Sequence, residues 1–134
     1  MTISLWRDRE GGAAIEFAVI APFLFTLVLG ALDLGRMFYV GQGLQHAAEQ
    51  GARYYTVNPT TSSTNVTSQV QAYMPGGMGS SVNVAYSDAA SCNSNSSVTC
   101  TTITATYSFS FIASYLGLGT KTITATSQAV RVTP

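Results

Sequence analysis

Residues 11–32 have the sequence GGAAIEFAVIAPFLFTLVLGAL, and this stretch decides the fold of the 134-residue chain. After the two glycines, the apolar run 13–32 holds about 20 residues, which at 1.5 Å per residue match a hydrocarbon core of roughly 30 Å. Glu16 is the only ionisable group in the run. A charge at the bilayer centre costs on the order of 3 kcal/mol, and less near the interface. We therefore predict one membrane-spanning helix whose carboxylate needs a partner from outside the run.

The helical pattern continues beyond the apolar run. Apolar or small side chains recur every three or four residues, at Leu34, Phe38, Gly41, Leu44, Ala48, Gly51 and Tyr55. A polar stripe carries Arg36, Gln42, His46, Glu49 and Arg53. We expect one helix of about 40 to 45 residues that rises about 30 Å above the membrane. Its many small residues either form a close seam with another helix or fit under the C-terminal domain.

The rest of the chain predicts a small α+β domain. Asn58-Pro59 ends the long helix, and residues 65–74 have the pattern of a short helix closed by Pro75-Gly76-Gly77. Apolar and polar side chains then alternate in three segments, as strands with one buried face do. The clearest apolar series is Ile103, Ala105, Tyr107, Phe109 and Phe111. We predict a three-stranded antiparallel sheet packed on the upper half of the long helix.

Two cysteines lie in the polar loop between the first two predicted strands. Seven residues separate Cys92 from Cys100, and closing a loop of this size gives roughly 2.5 kcal/mol in the chain-entropy model. Export of the domain would favour a disulfide over two free thiols. A metal site is disfavoured, because His46 is the only imidazole and lies far away in the sequence.

Several pieces of the N-terminal third resemble type IV pilins and, more narrowly, the TadE-like pseudopilins of the tight-adherence pilus. The pieces AAIEFA, Pro22, LDLGRMFY and QHAAEQGARY occur in family order between Arg9 and Tyr55. In the prepilin signature a glycine precedes the cut, and glutamate is the fifth residue of the mature chain. Gly11, Gly12 and Glu16 fit that spacing. The next residue is often tyrosine in the family, whereas Phe17 here keeps the ring and lacks the hydroxyl.

The resemblance implies a substrate of prepilin peptidase with a leader 1–11, a transmembrane helix with its extension 12–57, and a periplasmic domain 58–134. Glu16 would pair with the Gly12 ammonium of a neighbouring subunit. Pro22 removes one backbone hydrogen bond, which predicts a kink or a locally opened helix, and pilin helices commonly loosen there on assembly. The implied partners are the peptidase, other pilins or pseudopilins, and the bilayer of a bacterial inner membrane, with possible incorporation into a surface pilus.

Composition argues against other functions. The formal net charge is zero and only 9% of residues are charged, so nucleic acid is not an expected partner. A single histidine, and no nucleophile elbow or phosphate-binding loop, predict a protein that is not an enzyme and binds no cofactor. We predict a minor pilin acting in pilus assembly. An uncleaved membrane-anchored binding or adhesion module and a major structural pilin are the alternatives.

The connection between the last two predicted strands is unusually apolar. Residues 111–119 have the sequence FIASYLGLG. This segment either caps the small core or presents an aromatic patch to a membrane surface or a neighbouring subunit.

Overall fold

The computed structural model describes residues 11–58, 60–89, 98–112, 117 and 119–132. Two α-helices, one 3-10 segment and three strands follow one another along the chain. They are α1 (Gly12–Val57), α2 (Ser63–Ala72), the 3-10 segment Pro75–Ser81, β1 (Val82–Ala89), β2 (Val98–Ser110) and β3 (Thr120–Val132). This arrangement confirms the predicted α+β fold. The elements after α1 are called the C-terminal domain below.

Helix α1 is a single α-helix of 46 residues that continues through Pro22. It therefore contains no opened stretch at the proline. At its other end, the backbone N–H and the side-chain amide of Asn58 both donate to the carbonyl of Tyr54, at 3.0 and 3.1 Å. All its buried side chains belong to the upper half, residues 33–57, whereas the lower half, residues 12–32, buries none. The C-terminal domain thus packs on the upper half alone, as predicted.

The sheet has the order β1-β2-β3, and both pairs are antiparallel. The register places Ala105 between Val84 and Ala125. On the face turned toward α1, the β2 residues Thr101, Ile103, Ala105 and Phe109 are buried. The alternation of the sequence therefore set which face of the sheet meets the helix. Thr101 adds a polar contact to this face, because its hydroxyl donates to the Asp88 carboxylate at 2.6 Å.

Small residues of α1 let the C-terminal domain come close to the helix axis. A methyl group placed on Gly43 would lie 2.6 Å from the ring of Pro75, and one on Gly51 would collide with Val70. By contrast, Gly30 and Gly35 have open space around them. Of the two roles considered for the small residues, fitting under the domain is the one seen at the upper positions.

Helix α2 begins two residues earlier than its sequence pattern predicted. The hydroxyl of Ser62 accepts a hydrogen bond from the Asn65 backbone N–H, so this serine caps the helix and Ser63 is its first residue. The following turn depends on Gly76 and Gly77, which have φ of 65° and 72°. Residues with a Cβ rarely adopt that conformation. The predicted span of 65–74 was therefore wrong at both ends by two residues.

The upper end of α1 is bound to the last strand by one arginine. Arg131 of β3 donates from Nη1 to the Tyr55 hydroxyl at 2.9 Å, and its guanidinium carbon lies 5.1 Å from the centre of the same ring. A hydrogen bond combined with a cation–π contact fixes the ring more firmly than either alone. This contact holds the top of the sheet against the helix.

Candidate functional site

The predicted processing residues lie at the very start of α1. Gly11 precedes the helix in a right-handed helical conformation and offers no side-chain cap. Glu16 follows Gly12 by four residues, which corresponds to about 6 Å along the axis and places the two residues on the same side of the helix. Glu16 and Phe17 are both exposed. No ion pair involves Glu16 within the described part of the chain, so its carboxylate is open to a neighbouring molecule.

The lower half of α1 has the surface of a membrane anchor. It is the one helix among the described residues that is both long and apolar enough to cross a bilayer, and none of its apolar window is buried. Large apolar side chains project from it on all sides, including Ile15, Val19, Phe23, Phe25 and Leu27. A surface of this kind is unfavourable in water and favourable in lipid or against other apolar helices.

Pro22 creates a weak position inside this anchor. Proline has no N–H, so the carbonyl four residues earlier, that of Ala18, receives no helical hydrogen bond from it. One turn later, the hydroxyl of Thr26 donates to the Pro22 carbonyl at 2.8 Å. A side-chain bond of this type is common in membrane helices that contain proline. The helix is intact here, with one backbone bond fewer than its length allows.

A buried carboxylate joins α1 to the sheet directly after the apolar run. Asp33 is only 2% exposed, and its Oδ1 accepts from the backbone N–H of Ile112 at 3.1 Å and from Arg36 Nη1 at 3.2 Å. The Arg36 guanidinium also lies 5.2 Å from the centre of the Phe109 ring. Phe109 in turn meets Phe111 edge to face, with centroids 5.2 Å apart. The end of β2 is thereby fixed at the height where the anchor ends.

The sequence pattern placed Arg36 on a polar stripe, which agrees with its exposure, and gave Asp33 no role. The structure adds the contact between these two residues. The one available signal was the spacing of an acid and a base three residues apart at the exit of an apolar run, which allows an ion pair on a helix. Nothing in that spacing identifies the third partner, the Ile112 N–H, which lies 79 residues further along the chain.

A shallow groove of about 490 Å³ runs between the upper half of α1 and β3. Its lining includes His46 and Glu49. Glu49 accepts from the Gln45 amide at 3.2 Å. His46 is exposed and contacts the edge of Tyr73, with ring centroids 6.1 Å apart. Among the described residues, no three potential metal ligands come together.

The predicted disulfide falls partly outside the described residues. Cys100 lies on β2, opposite Ala89 on one neighbouring strand and Val130 on the other. Cys92 is not among the described residues, so its pairing with Cys100 stays a prediction. The same holds for the leader, of which Gly11 alone is described. For residues 111–119, Phe111 packs on the core and Ile112 is exposed, while the rest of the segment lies largely outside the described residues, so the choice between the two roles stays open.

A comparison with known proteins finds a family match on the N-terminal helix, the same segment that carries the residues described above. The family described as TadE-like protein matches residues 11–53, roughly a third of the chain. The match begins at the predicted cut glycine and includes Glu16, Pro22 and Asp33. It confirms the resemblance to the pilin-like proteins of the tight-adherence pilus, which are structural proteins. Neither a curated protein nor a solved structure matches this chain.

Proposed function

We propose that this chain is a minor pilin-like subunit, a pseudopilin, that prepilin peptidase matures and that acts in the assembly of a tight-adherence pilus. The premise is the TadE-like match over residues 11–53. The observation that carries the proposal is the placement of Glu16, an exposed carboxylate on an apolar helix, four residues after Gly12. A membrane anchor alone gives no reason to keep a charge at that position.

Cleavage supplies the partner that Glu16 lacks within the chain. Hydrolysis of the Gly11–Gly12 peptide bond adds water across it and leaves a carboxylate on Gly11 and an ammonium on Gly12. In the mature protein, the Gly12 ammonium of one subunit pairs with Glu16 of its neighbour as their helices come together. Both groups lose water in that environment, so a paired arrangement is strongly favoured over two separate charges. The pair therefore drives the helix into a bundle at a defined height.

The positive charges of the leader predict the orientation of the chain in the membrane. Arg7 and Arg9 in the leader are the positive charges expected on the cytoplasmic side, where the peptidase acts. The C-terminal domain then lies in the periplasm, next to the inner membrane. The exposed apolar surface of the lower half contacts lipid before assembly and the helices of other pilins after it. In this role the protein binds and positions partners and carries out no catalysis.

The first test is the N terminus of the mature protein. In cells with an active prepilin peptidase, sequencing of the membrane form should begin at Gly12. Gly11→Ala should slow or abolish cleavage, because a methyl group obstructs the close backbone approach that glycine permits at the cut. Gly30→Ala is the matched control, since its surroundings are equally open and it lies away from the cut. Wild-type protein that keeps the full mass in membranes would instead support the uncleaved anchored module.

The second test separates assembly from processing. Glu16→Gln keeps the size of the side chain and removes the charge, so the variant should be cleaved and inserted but should not support surface fibres. Glu49→Gln, which changes an exposed acid in the upper half, should leave piliation unchanged. Normal piliation by Glu16→Gln would remove the main chemical support for the proposal. Recovery of the protein as the bulk of sheared fibres would identify a major pilin.

A further inference from the structure

We propose that the base of the C-terminal domain is seated in the headgroup layer of the bilayer that holds α1, through the exposed side chains of Ile112 and Arg36. This surface contacts the phospholipid leaflet on the same side of the membrane as the C-terminal domain. The inference rests on membrane insertion of the lower half, and it adds a second contact with the bilayer, made by Ile112 and Arg36.

The first step is the height of the contact. If the apolar run ends at Leu32, Asp33 stands one residue above the edge of the hydrocarbon core. The Ile112 backbone N–H lies 3.1 Å from the Asp33 carboxylate, which binds it at that height. Each headgroup layer is about 5 to 8 Å thick, and Arg36 is about 6 Å above Leu32 along the helix. Ile112 and Arg36 therefore both fall within this layer.

The second step is the chemistry of the exposed groups. Ile112 leaves 55% of its surface exposed, and Leu32 and Leu34, which flank Asp33 in α1, are also more than half exposed. The Arg36 side chain is 49% exposed, although one of its nitrogens binds Asp33. Guanidinium has five N–H donors, so several remain available for a lipid phosphate. An apolar side chain beside a cation matches the boundary between acyl chains and phosphates.

The third step is the contrast with the opposite end of the sheet. Asp88 and Arg131 lie there, and both are engaged in contacts within the chain, Asp88 with Thr101 and Arg131 with Tyr55 of α1. Val130, which pairs with Cys100 near that end, is 48% exposed and so resembles Ile112 in both chemistry and exposure. The two residues differ in their distance from the anchor. This difference supplies a matched control.

The experiment uses tryptophan quenching by two sets of lipids, whose acyl chains carry bromine close to the headgroup or near the middle of the chain, so that both depths are probed. The full chain carries Trp6→Phe, which removes its single tryptophan, and receives one new tryptophan by Ile112→Trp, Val130→Trp or Leu24→Trp. Each protein is reconstituted in phosphatidylcholine and phosphatidylglycerol vesicles with and without brominated phosphatidylcholine. Because Ile112 is already more than half exposed, the larger ring should fit without repacking, and the urea midpoint checks this.

We expect strong quenching for Leu24→Trp, at least about half as much for Ile112→Trp, and none for Val130→Trp, given the thickness of the headgroup layer. Quenching of Leu24→Trp with none for Ile112→Trp would overturn the proposed headgroup contact and still support membrane insertion of the lower half. That result would also follow if a second copy of the chain covered Ile112. Absence of quenching at Leu24→Trp would refute membrane insertion of the lower half and, with it, the proposed contact of the C-terminal domain with the headgroup layer. Adding Asp33→Ala to Ile112→Trp should weaken the quenching, and an unchanged value would contradict the role given to Asp33.

Discussion

The two halves of α1 have opposite surfaces although they form one continuous helix. In the lower half, large side chains such as Phe23 and Phe25 are exposed on every side. In the upper half, the buried positions are mostly small, and Ala47 and Ala48 have no exposed surface. The large side chains of the lower half point away from the rest of the protein, whereas the small residues of the upper half pack against the C-terminal domain. Small residues thus mark where the C-terminal domain packs closely on α1, while the large exposed side chains of the lower half are not buried by any contact within the described part of the chain.

Removal of a large aromatic ring should break this comparison most clearly. Phe109 is 1% exposed and lies in the main core, so Phe109→Ala should lower the free energy of unfolding of the C-terminal domain by about 3 to 5 kcal/mol. Phe25→Ala removes the same ring from the lower half and should change that free energy by less than about 0.5 kcal/mol. Urea unfolding in detergent micelles, followed by near-ultraviolet circular dichroism, measures both. Equal losses would mean that the lower half belongs to the same folding unit.

The predicted disulfide should distinguish the two halves through redox chemistry. If Cys92 and Cys100 are joined after export, Cys100→Ser should destabilise the C-terminal domain by about 2 to 4 kcal/mol. Membrane insertion of the lower half should not change. Thiol labelling of the denatured, unreduced wild-type protein tests the bridge directly and should label no thiol. Two labelled thiols per chain would show that the loop is not oxidised in the cell.

A single methyl group should have opposite effects in two places. Gly51→Ala forces a methyl group against Val70. Overpacking costs about 1 to 3 kcal/mol, and the higher helix propensity of alanine returns up to about 1, so we expect a net loss of about 1 to 2 kcal/mol. Gly35→Ala meets open space and should be neutral or stabilising by up to about 1 kcal/mol. The urea midpoint should fall for Gly51→Ala and should stay the same or rise for Gly35→Ala, so a loss of stability from Gly35→Ala would reveal a contact at that face.

The smallest expected effect is a dependence on alkaline pH. The Tyr86 hydroxyl donates to the Ser63 carbonyl at 2.9 Å, and burial raises the pKa of Tyr86 above its usual value of 10.0. A pKa raised by folding means that this contribution to stability is complete below pH 10 and is lost as the pH rises through the folded value. Tyr86→Phe should therefore be less stable than wild type at neutral pH, and the difference should shrink above pH 10.

Tyr39→Phe is the control for this titration. Its ring is 61% exposed, and its hydroxyl makes no hydrogen bond within the described part of the chain, so stability should match that of wild type throughout. Paired urea titrations at several pH values give the comparison. A constant difference between Tyr86→Phe and wild type up to strongly alkaline pH would contradict the assignment to Tyr86.

Much of the fold could be predicted because its signals are local. The start of the apolar run and the pair Asn58-Pro59 mark the two ends of α1, and strict alternation in β2 identified its buried face. The start of α2 was missed because Ser62, which caps the helix, is one of several serines and threonines in that linker that could take this role.

The candidate site was predictable where one short segment contains it and not where two distant segments meet. Gly11, Gly12 and Glu16 lie within six residues, and their spacing at the start of an apolar run, together with the resemblance to prepilins, predicts a processing site. Asp33 and Ile112 are brought together by the sheet, and no spacing in the sequence indicates their contact. A buried aspartate beside an apolar run looks, in sequence, the same as an exposed one. Its burial depends on the packing of the domain above it.

The hydrogen bond between Asp33 and Ile112 also constrains the order of events during synthesis. The two groups are 79 residues apart, so α1 is complete and able to enter the membrane well before its partner leaves the ribosome. Until then, Arg36 is the described group on the same helix that can accompany the Asp33 charge. Docking of the sheet must wait for residue 112 and for β3 behind it, since contacts distant in sequence form late. A nascent chain therefore holds a completed α1 before the sheet can dock, and closure of this contact marks the arrival of the end of β2 at the helix.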